Sequence, residues 1–258
     1  MLTVPVTDGE YHTRADAALK PLTLLPTPAF YLQAFWIVMR SANMARQGMY
    51  TDGDWAKSSV DIIRALERCG CIFDIKGMET MCTDPQPCVF IANHMSTLET
   101  FALPSLISPY QRVTFVVKRG LVEYPFFKHV MRSRHPVLVD RKNARDDLKA
   151  VLSQGMERLQ NGISLVVFPQ TTRTPDFDPE QFNSIGLKLA QKAGVPVVPI
   201  ALKTDAWENG KRLKDFGRIV PQRPIHFSFG APIPAEELGK HTHRQIIEFI
   251  QEHLQEWK

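Results

Sequence analysis

The sequence predicts a single α/β domain: a mixed, largely parallel sheet of about seven strands flanked by helices, preceded by a two-helix element. Three observations lead there. Short β-rich runs recur after Gly70, several of them almost continuously apolar, as in strands buried on both faces. Amphipathic helical stretches fill the gaps, and alternation of strand and helix favours parallel pairing. The 258 residues are 44% hydrophobic and 22% charged, enough apolar mass for one large core and too much for disorder.

Taken in order, residues 1–20 carry both signs of charge and no apolar run, so no secretory signal is expected. Residues 28–49 and 54–69 read as two helices separated by Tyr50-Thr51-Asp52-Gly53, with Asp54 as N-cap of the second. The apolar stretch from Pro28 to Arg40 is broken by Gln33 and falls short of the roughly 20 residues a spanning helix needs. A core helix or one lying in a membrane interface fits that length. Phe30, Tyr31, Phe35 and Trp36 favour the interface, where aromatic rings settle. Residues 1–69 are therefore expected to form a membrane-docking element and residues 70–258 the α/β domain.

Strand runs follow at 71–76, 87–92, 112–118, 135–140, 163–168, 195–203 and 224–229. A helix from Arg141 to Gln160 carries Ala144, Leu148, Val151, Leu152, Met156 and Leu159 on one stripe and closes at Gly162. Phe182 to Ala193 repeats the pattern before Gly194, and residues 242–257 form a last amphipathic helix. Cys69, Cys71, Cys82 and Cys88 match no zinc spacing and read as reduced thiols, with no metal implied. A net charge of +4 suits anionic lipid or phosphate and gives no support for a nucleic-acid partner.

Three segments carry candidate chemistry. In Asn93-His94-Met95-Ser96-Thr97-Leu98-Glu99 an apolar strand runs into a helix start. Five residues apart, His94 and Glu99 can meet only if His94 lies on the turn before the helix and Glu99 in its first turns. Asn93 and Ser96 are candidate caps. A carboxylate behind an imidazole fixes its tautomer, so the outer nitrogen can take a proton from a hydroxyl. In Phe168-Pro169-Gln170-Thr171-Thr172-Arg173-Thr174, hydroxyls and a guanidinium follow a strand end, where an anion can be held. Lys118-Arg119 and Arg141-Lys142 follow strands on the same expected edge. Each segment alone is weak: a His and an acid at this spacing arise by chance, and a Thr-rich turn can be mere surface.

Together, in this order, they resemble the glycerolipid acyltransferases, the family typified by lysophosphatidic acid acylating enzymes. That family shows NHxxxxD, a Lys-Arg stretch with a downstream hydrophobic-x-Arg, FPEGTRS and VPxxPV; here stand Asn93 to Glu99, Val117-Lys118-Arg119, Val139-Asp140-Arg141, Phe168 to Thr174 and Val195-Pro196-Val197-Val198-Pro199. The resemblance spans roughly residues 70–235. It implies acyl transfer from a thioester, on coenzyme A or acyl carrier protein, to a lysophospholipid hydroxyl, 1-acylglycerol-3-phosphate first among acceptors. It implies His94 as general base with Glu99 orienting it. Arg141 and Arg173 become phosphate ligands, assisted by Lys118, with Gln170, Thr171 and Thr172 also at the acceptor. No cofactor or metal is implied, and the place of work is the cytoplasmic face of the cell membrane, peripherally bound. Glu99, Gln170 and Thr171 depart from the motif's Asp, Glu and Gly. They leave open another lyso-lipid or amphipathic alcohol as acceptor; a non-catalytic lipid-binding protein is the reading from outside enzymology.

Overall fold

The structure, a computed structural model, describes residues 4–79, 85–125 and 127–258. Cys82 and Phe126 lie outside the described residues. Nearly continuous apolar runs give strands whose both faces are buried, and these form the sheet's middle. The strands are β1 (Tyr11–His12), β2 (Phe73–Lys76), β3 (Val89–Ala92), β4 (Val113–Lys118), β5 (Val137–Val139), β6 (Ser164–Val167), β7 (Val197–Lys203) and β8 (Ile225–Phe229). Their order across the sheet is β1-β2-β8-β7-β3-β6-β4-β5. From β7 to β5 every pair is parallel, while β7–β8 and β1–β2 are antiparallel and β2–β8 is parallel. The C-terminal ends of β3, β4, β5, β6 and β7 therefore share one edge, where open α/β sheets place their ligands.

The helices are α1 (Lys20–Thr23), α2 (Pro26–Arg46), α3 (Asp52–Arg68), α4 (Leu98–Ile107), α5 (Lys128–Ser133), α6 (Ala144–Gln160), α7 (Ile185–Ala193) and α8 (Thr242–Glu256). They divide the core in two. On one face α2, α3 and α4 pack over Phe73, Phe90, Phe115 and Phe227; on the other α6, α7 and α8 cover Val89, Ile91, Leu165 and Val197. Alternating residues of β3, Val89 and Ile91 against Phe90 and Ala92, supply both clusters, as the strand's period of two requires. Helix α4 has no continuous polar face and is buried except at Thr100 and Phe101, which suits a helix wedged between layers.

Several boundaries differ from the sequence reading, and three helix starts have a local reason. The cap of α3 is Thr51 rather than Asp54: the Thr51 side chain accepts the Asp54 amide, and the Asp54 carboxylate accepts the Thr51 amide in return. Helix α6 starts at Ala144 rather than Arg141, because Asn143 caps it by accepting the amides of Arg145 and Asp146. Arg141 is left in the preceding loop with a left-handed φ of 55°. Helix α7 starts at Ile185, whose amide the Asn183 side chain accepts. The eighth strand is β1, too short to carry a periodicity, which pairs Tyr11 with Ile75 at the sheet's edge.

The described cysteines, Cys69, Cys71 and Cys88, are free and buried. Burial pushes their thiols up to about 11, 12 and 11, so they are inert at neutral pH. No helix among the described residues is long and apolar enough to cross a membrane.

Candidate active site

Asn93, first residue past β3, does not cap a helix. Its side-chain amide donates to the Leu202 carbonyl at 2.8 Å and accepts the Leu202 amide at 2.8 Å. It thus imitates a peptide group and extends the β3–β7 ladder by one rung. With the strand end pinned, the chain turns through His94 to Thr97 and enters α4 at Leu98, whose amide donates to Ser96 Oγ at 3.1 Å.

Glu99 lies in the first turn of α4 and is completely buried. One carboxylate oxygen accepts the Met95 and Ser96 amides at 2.6 and 2.9 Å and lies 3.0 Å from His94 Nδ1; the other accepts the Thr204 hydroxyl at 2.8 Å. Burial alone would push this carboxyl up. The bond and charge of His94, with the Ser96 amide, outweigh it and hold Glu99 below the ordinary carboxylate range. The positive end of α4 acts in the same sense.

The His94 ring lies parallel to Phe168 at 4.3 Å between centroids, which fixes its plane. Its side chain is 11% exposed. Burial pushes its pKa down, Glu99 pulls it up, Arg173 and Arg141 push it down again, and the balance is below the usual histidine value. At neutral pH the imidazole is neutral. With Nδ1 committed to Glu99, Nε2 is the nitrogen left to accept a proton.

The loop after β6 closes against this turn. The Gln170 side-chain oxygen accepts the His94 amide at 2.6 Å while its nitrogen donates to Thr174 Oγ1 at 3.0 Å. Gln170 is therefore buried with both ends of its amide engaged, a brace between the two loops. The Thr174 amide donates to the His94 carbonyl at 3.1 Å. Arg173 Nη1 donates to Asp215 Oδ1 at 2.8 Å and to Thr97 Oγ1. Arg141 donates to the Thr171 carbonyl, and its amide reaches Asp147 at 3.2 Å. These contacts hold a left-handed, non-glycine backbone that costs about 1–3 kcal/mol, the kind of strain that gathers at functional sites. Lys118 ends β4 with an exposed side chain, in register with Val139 just before Asp140 and Arg141.

The structure thus draws His94, Glu99, Gln170, Arg173 and Arg141 into one cluster at the sheet's C-terminal edge, with Thr171 and Thr172 on its rim. Sequence reasoning missed Thr204, which completes Glu99's shell, Asp215, which meets Arg173, and Lys214, whose ammonium donates to Thr172 Oγ1 at 2.8 Å. Among the described residues no group of three or more His, Cys, Asp or Glu is placed to share a metal ion.

A family model described as Acyltransferase matches residues 73–203, running from β2 to the end of β7 and taking in His94, Glu99, Arg141, Gln170 and Arg173. The chain belongs to the acyltransferase family. It is 33% identical over 148 residues to a 1-acyl-sn-glycerol-3-phosphate acyltransferase of Pseudomonas aeruginosa, covering 57% of this chain and 55% of that one. A chloroplastic 1-acyl-sn-glycerol-3-phosphate acyltransferase of Brassica napus is 34% identical over 129 residues, 50% of this chain and 36% of its own. A probable 1-acyl-sn-glycerol-3-phosphate acyltransferase of Mycoplasma pneumoniae is 28% identical over 204 residues, covering 70% and 75%. The chain thus spans about half the length, or less, of the first two relatives. The crystal structure of the 1-acyl-sn-glycerophosphate acyltransferase of Thermotoga maritima shares the fold, with a TM-score of 0.70 over 92% of this chain and 96% of that one, at 20% identity.

Proposed function

We propose that this acyltransferase-family chain moves a fatty acyl group from a thioester to the free hydroxyl of a lysophospholipid, with 1-acylglycerol-3-phosphate as the leading acceptor. The observation that carries the reading is His94 Nδ1 held 3.0 Å from the buried Glu99 carboxylate, which leaves Nε2 as the basic nitrogen. Nε2 takes the acceptor's hydroxyl proton as its oxygen attacks the thioester carbonyl. The C–O bond forms, the tetrahedral intermediate collapses, the C–S bond breaks, and the departing thiolate takes the proton back from Nε2. Glu99 stabilises the imidazolium between those steps and keeps the ring's tautomer.

Arg173 and Arg141, with Lys118 beyond them, meet the acceptor's phosphate, and their positive charge disfavours a second one on His94 before the acceptor binds. Gln170 contributes by bracing the loop that bears Arg173. The donor is coenzyme A or acyl carrier protein. Residues 1–69 dock the enzyme peripherally on the cytoplasmic face of the membrane. Leu24 and Leu25 at the joint of α1 and α2, with Leu32, Phe35 and Trp36 on α2, support this, since all are exposed while Phe30 and Ala34 face the core.

Turnover is read as thiol released from acyl-coenzyme A with and without lysophosphatidic acid. Release that depends on the acceptor, and falls by about 10²- to 10⁴-fold in a folded His94→Ala protein, is the expected result. Equal turnover by the variant removes the general-base reading. Acceptor-independent turnover, or none with any lyso-lipid, removes the reaction.

A further inference from the structure

The loop between β7 and β8 carries two consecutive charged residues that engage two consecutive residues of the Thr-rich turn. Lys214 donates to Thr172, and Asp215 accepts from Arg173 and, at 3.2 Å, from Thr97 Oγ1. This loop is not a loose flap. Its arms are tied by a bridge between Trp207 and Ile219 and by amide–carbonyl bonds from Glu208 to Arg218 and from Gly210 to Lys214. Its far side is tied to α2: the Tyr31 hydroxyl donates to the Gly217 carbonyl at 2.7 Å and accepts from Trp207 Nε1 at 3.0 Å. Tyr31 also packs its ring against Phe216 at 5.6 Å. The carboxylate that meets Arg173 is thus fixed from behind.

A guanidinium presents five N–H groups in a rigid fork. Both protein bonds of Arg173 use Nη1 alone; among the described residues, Nε and Nη2 donate to no protein atom. That pair of donors forms the edge that suits two oxygens of one phosphate.

We propose that Asp215 is a positioning residue for the acceptor: with Thr97 it holds one nitrogen of Arg173 so that the Nε–Nη2 edge is presented to the phosphate. The inference rests on Arg173 being the phosphate ligand. Two effects of Asp215 oppose each other. Its charge lowers the local positive potential, so by charge alone Asp215→Asn would tighten acceptor binding. Its hold on the fork acts the other way, since a long side chain freed of its anchor must be ordered anew at each binding event. Anchoring wins on this geometry, because α2 braces the loop that bears the carboxylate, which meets Arg173 only at Nη1, the nitrogen outside that edge.

The test is a steady-state cycle on the full chain with lysophosphatidic acid as acceptor, comparing wild type, Asp215→Asn, Arg173→Ala and the double variant. Asp215→Asn is expected to raise acceptor KM roughly tenfold, the scale of one charge-assisted bond, with kcat and donor KM within about twofold. In the Arg173→Ala background the same change should do nothing further, because nothing remains to be aimed. Tyr31→Phe, which loosens the loop without touching any charge, should raise acceptor KM in the same direction by a smaller factor and keeps the test open if Asp215→Asn misfolds. An unchanged or lowered acceptor KM overturns the proposal, a lowered one identifying the carboxylate as a competitor of the phosphate. An equal rise in both Arg173 backgrounds also overturns it, as general damage. If Arg173→Ala itself leaves acceptor KM unchanged, the phosphate reading of Arg173 falls and takes this one with it; if only Asp215→Asn is silent, the phosphate reading stands alone.

Discussion

Glu99 carries one methylene more than the aspartate that the family motif holds at its place, and the added reach has a use here. Its carboxylate touches His94, two backbone amides and Thr204 at once, while its backbone stays in the first turn of α4. Because Glu99 raises the His94 pKa against burial, Glu99→Gln removes that upward pull. The His94 pKa falls further, the neutral base persists to lower pH, and the acid limb of kcat/KM shifts down. Rate profiles over about pH 5 to 8 should show that shift together with a plateau reduced less than in His94→Ala. An unmoved limb would mean that the carboxylate's charge does not govern the base. Stability follows the same sign. The Glu99 carboxyl lies below its unfolded value, so its contribution is present above the ordinary range near 4.5 and drains away as pH falls through the folded value. At this scale the spacing of His94 and Glu99 allowed their pairing, and the family resemblance singled it out. Thr204 and Asp215 were not legible, since an isolated Thr and an Asp in a charged loop gain meaning only from contacts 105 and 42 residues away.

Elements are set by their ends, and the ends are where pattern reading slips. Periodicity found α3 and α6, but Thr51 and Asn143 decide where they begin, and both caps lie outside the apolar stripe. The short β1 carries too few residues for alternation to register. Glycines at element ends allow a controlled comparison. Gly77 leaves β2 at φ 78°, where an added Cβ would sit 2.0 Å from the Phe229 carbonyl oxygen on β8; Gly162 follows α6 at φ 74° with open space around it. Gly162→Ala should cost about 1 kcal/mol, the left-handed backbone alone, or about 2–4 °C in Tm for a chain of this size. Gly77→Ala adds a backbone collision that no rotamer relieves, so its Tm loss in a thermal melt should be at least about double. Equal losses would mean that β2 and β8 yield at their ends.

For the whole molecule, the proposed function requires a site built at a sheet edge to meet a substrate dissolved in a bilayer. Helix α2 has an inward and an outward face: Phe30 packs edge-on against Trp207 at 4.8 Å, while Trp36 is 66% exposed. Arg40, which ends the apolar stretch, pairs with Asp61 of α3 at 2.6 Å. Removing the first 50 residues would strip core as well as surface, so substitution is the cleaner experiment. In full-length protein, Leu32→Ser with Trp36→Ser should reduce co-sedimentation with phosphatidylglycerol-containing vesicles by at least about tenfold, given roughly 1.5–3 kcal/mol per fully buried large apolar side chain. Melting should be unchanged because the inward face is untouched. Vesicle binding equal to wild type would relocate the docking surface. The fold class was legible at this scale because apolar strand runs and striped helices alternate along the chain. The sheet's strand order was not, because sequence patterns carry no pairing information between elements far apart.

That order sets a timetable for synthesis. The middle strand β3 emerges early, yet its neighbours β6 and β7 come much later, and the Asn93 rung waits for Leu202, 109 residues downstream. At roughly 5–20 residues per second a ribosome needs on the order of 10 s to cover that gap. Until β6 has been made, a strand apolar on both faces has no partner on either edge, and its β7 edge stays open to the end of the gap. The same contacts that finish the His94 turn thus form last, and they leave apolar strand surface open until translation has passed Thr204.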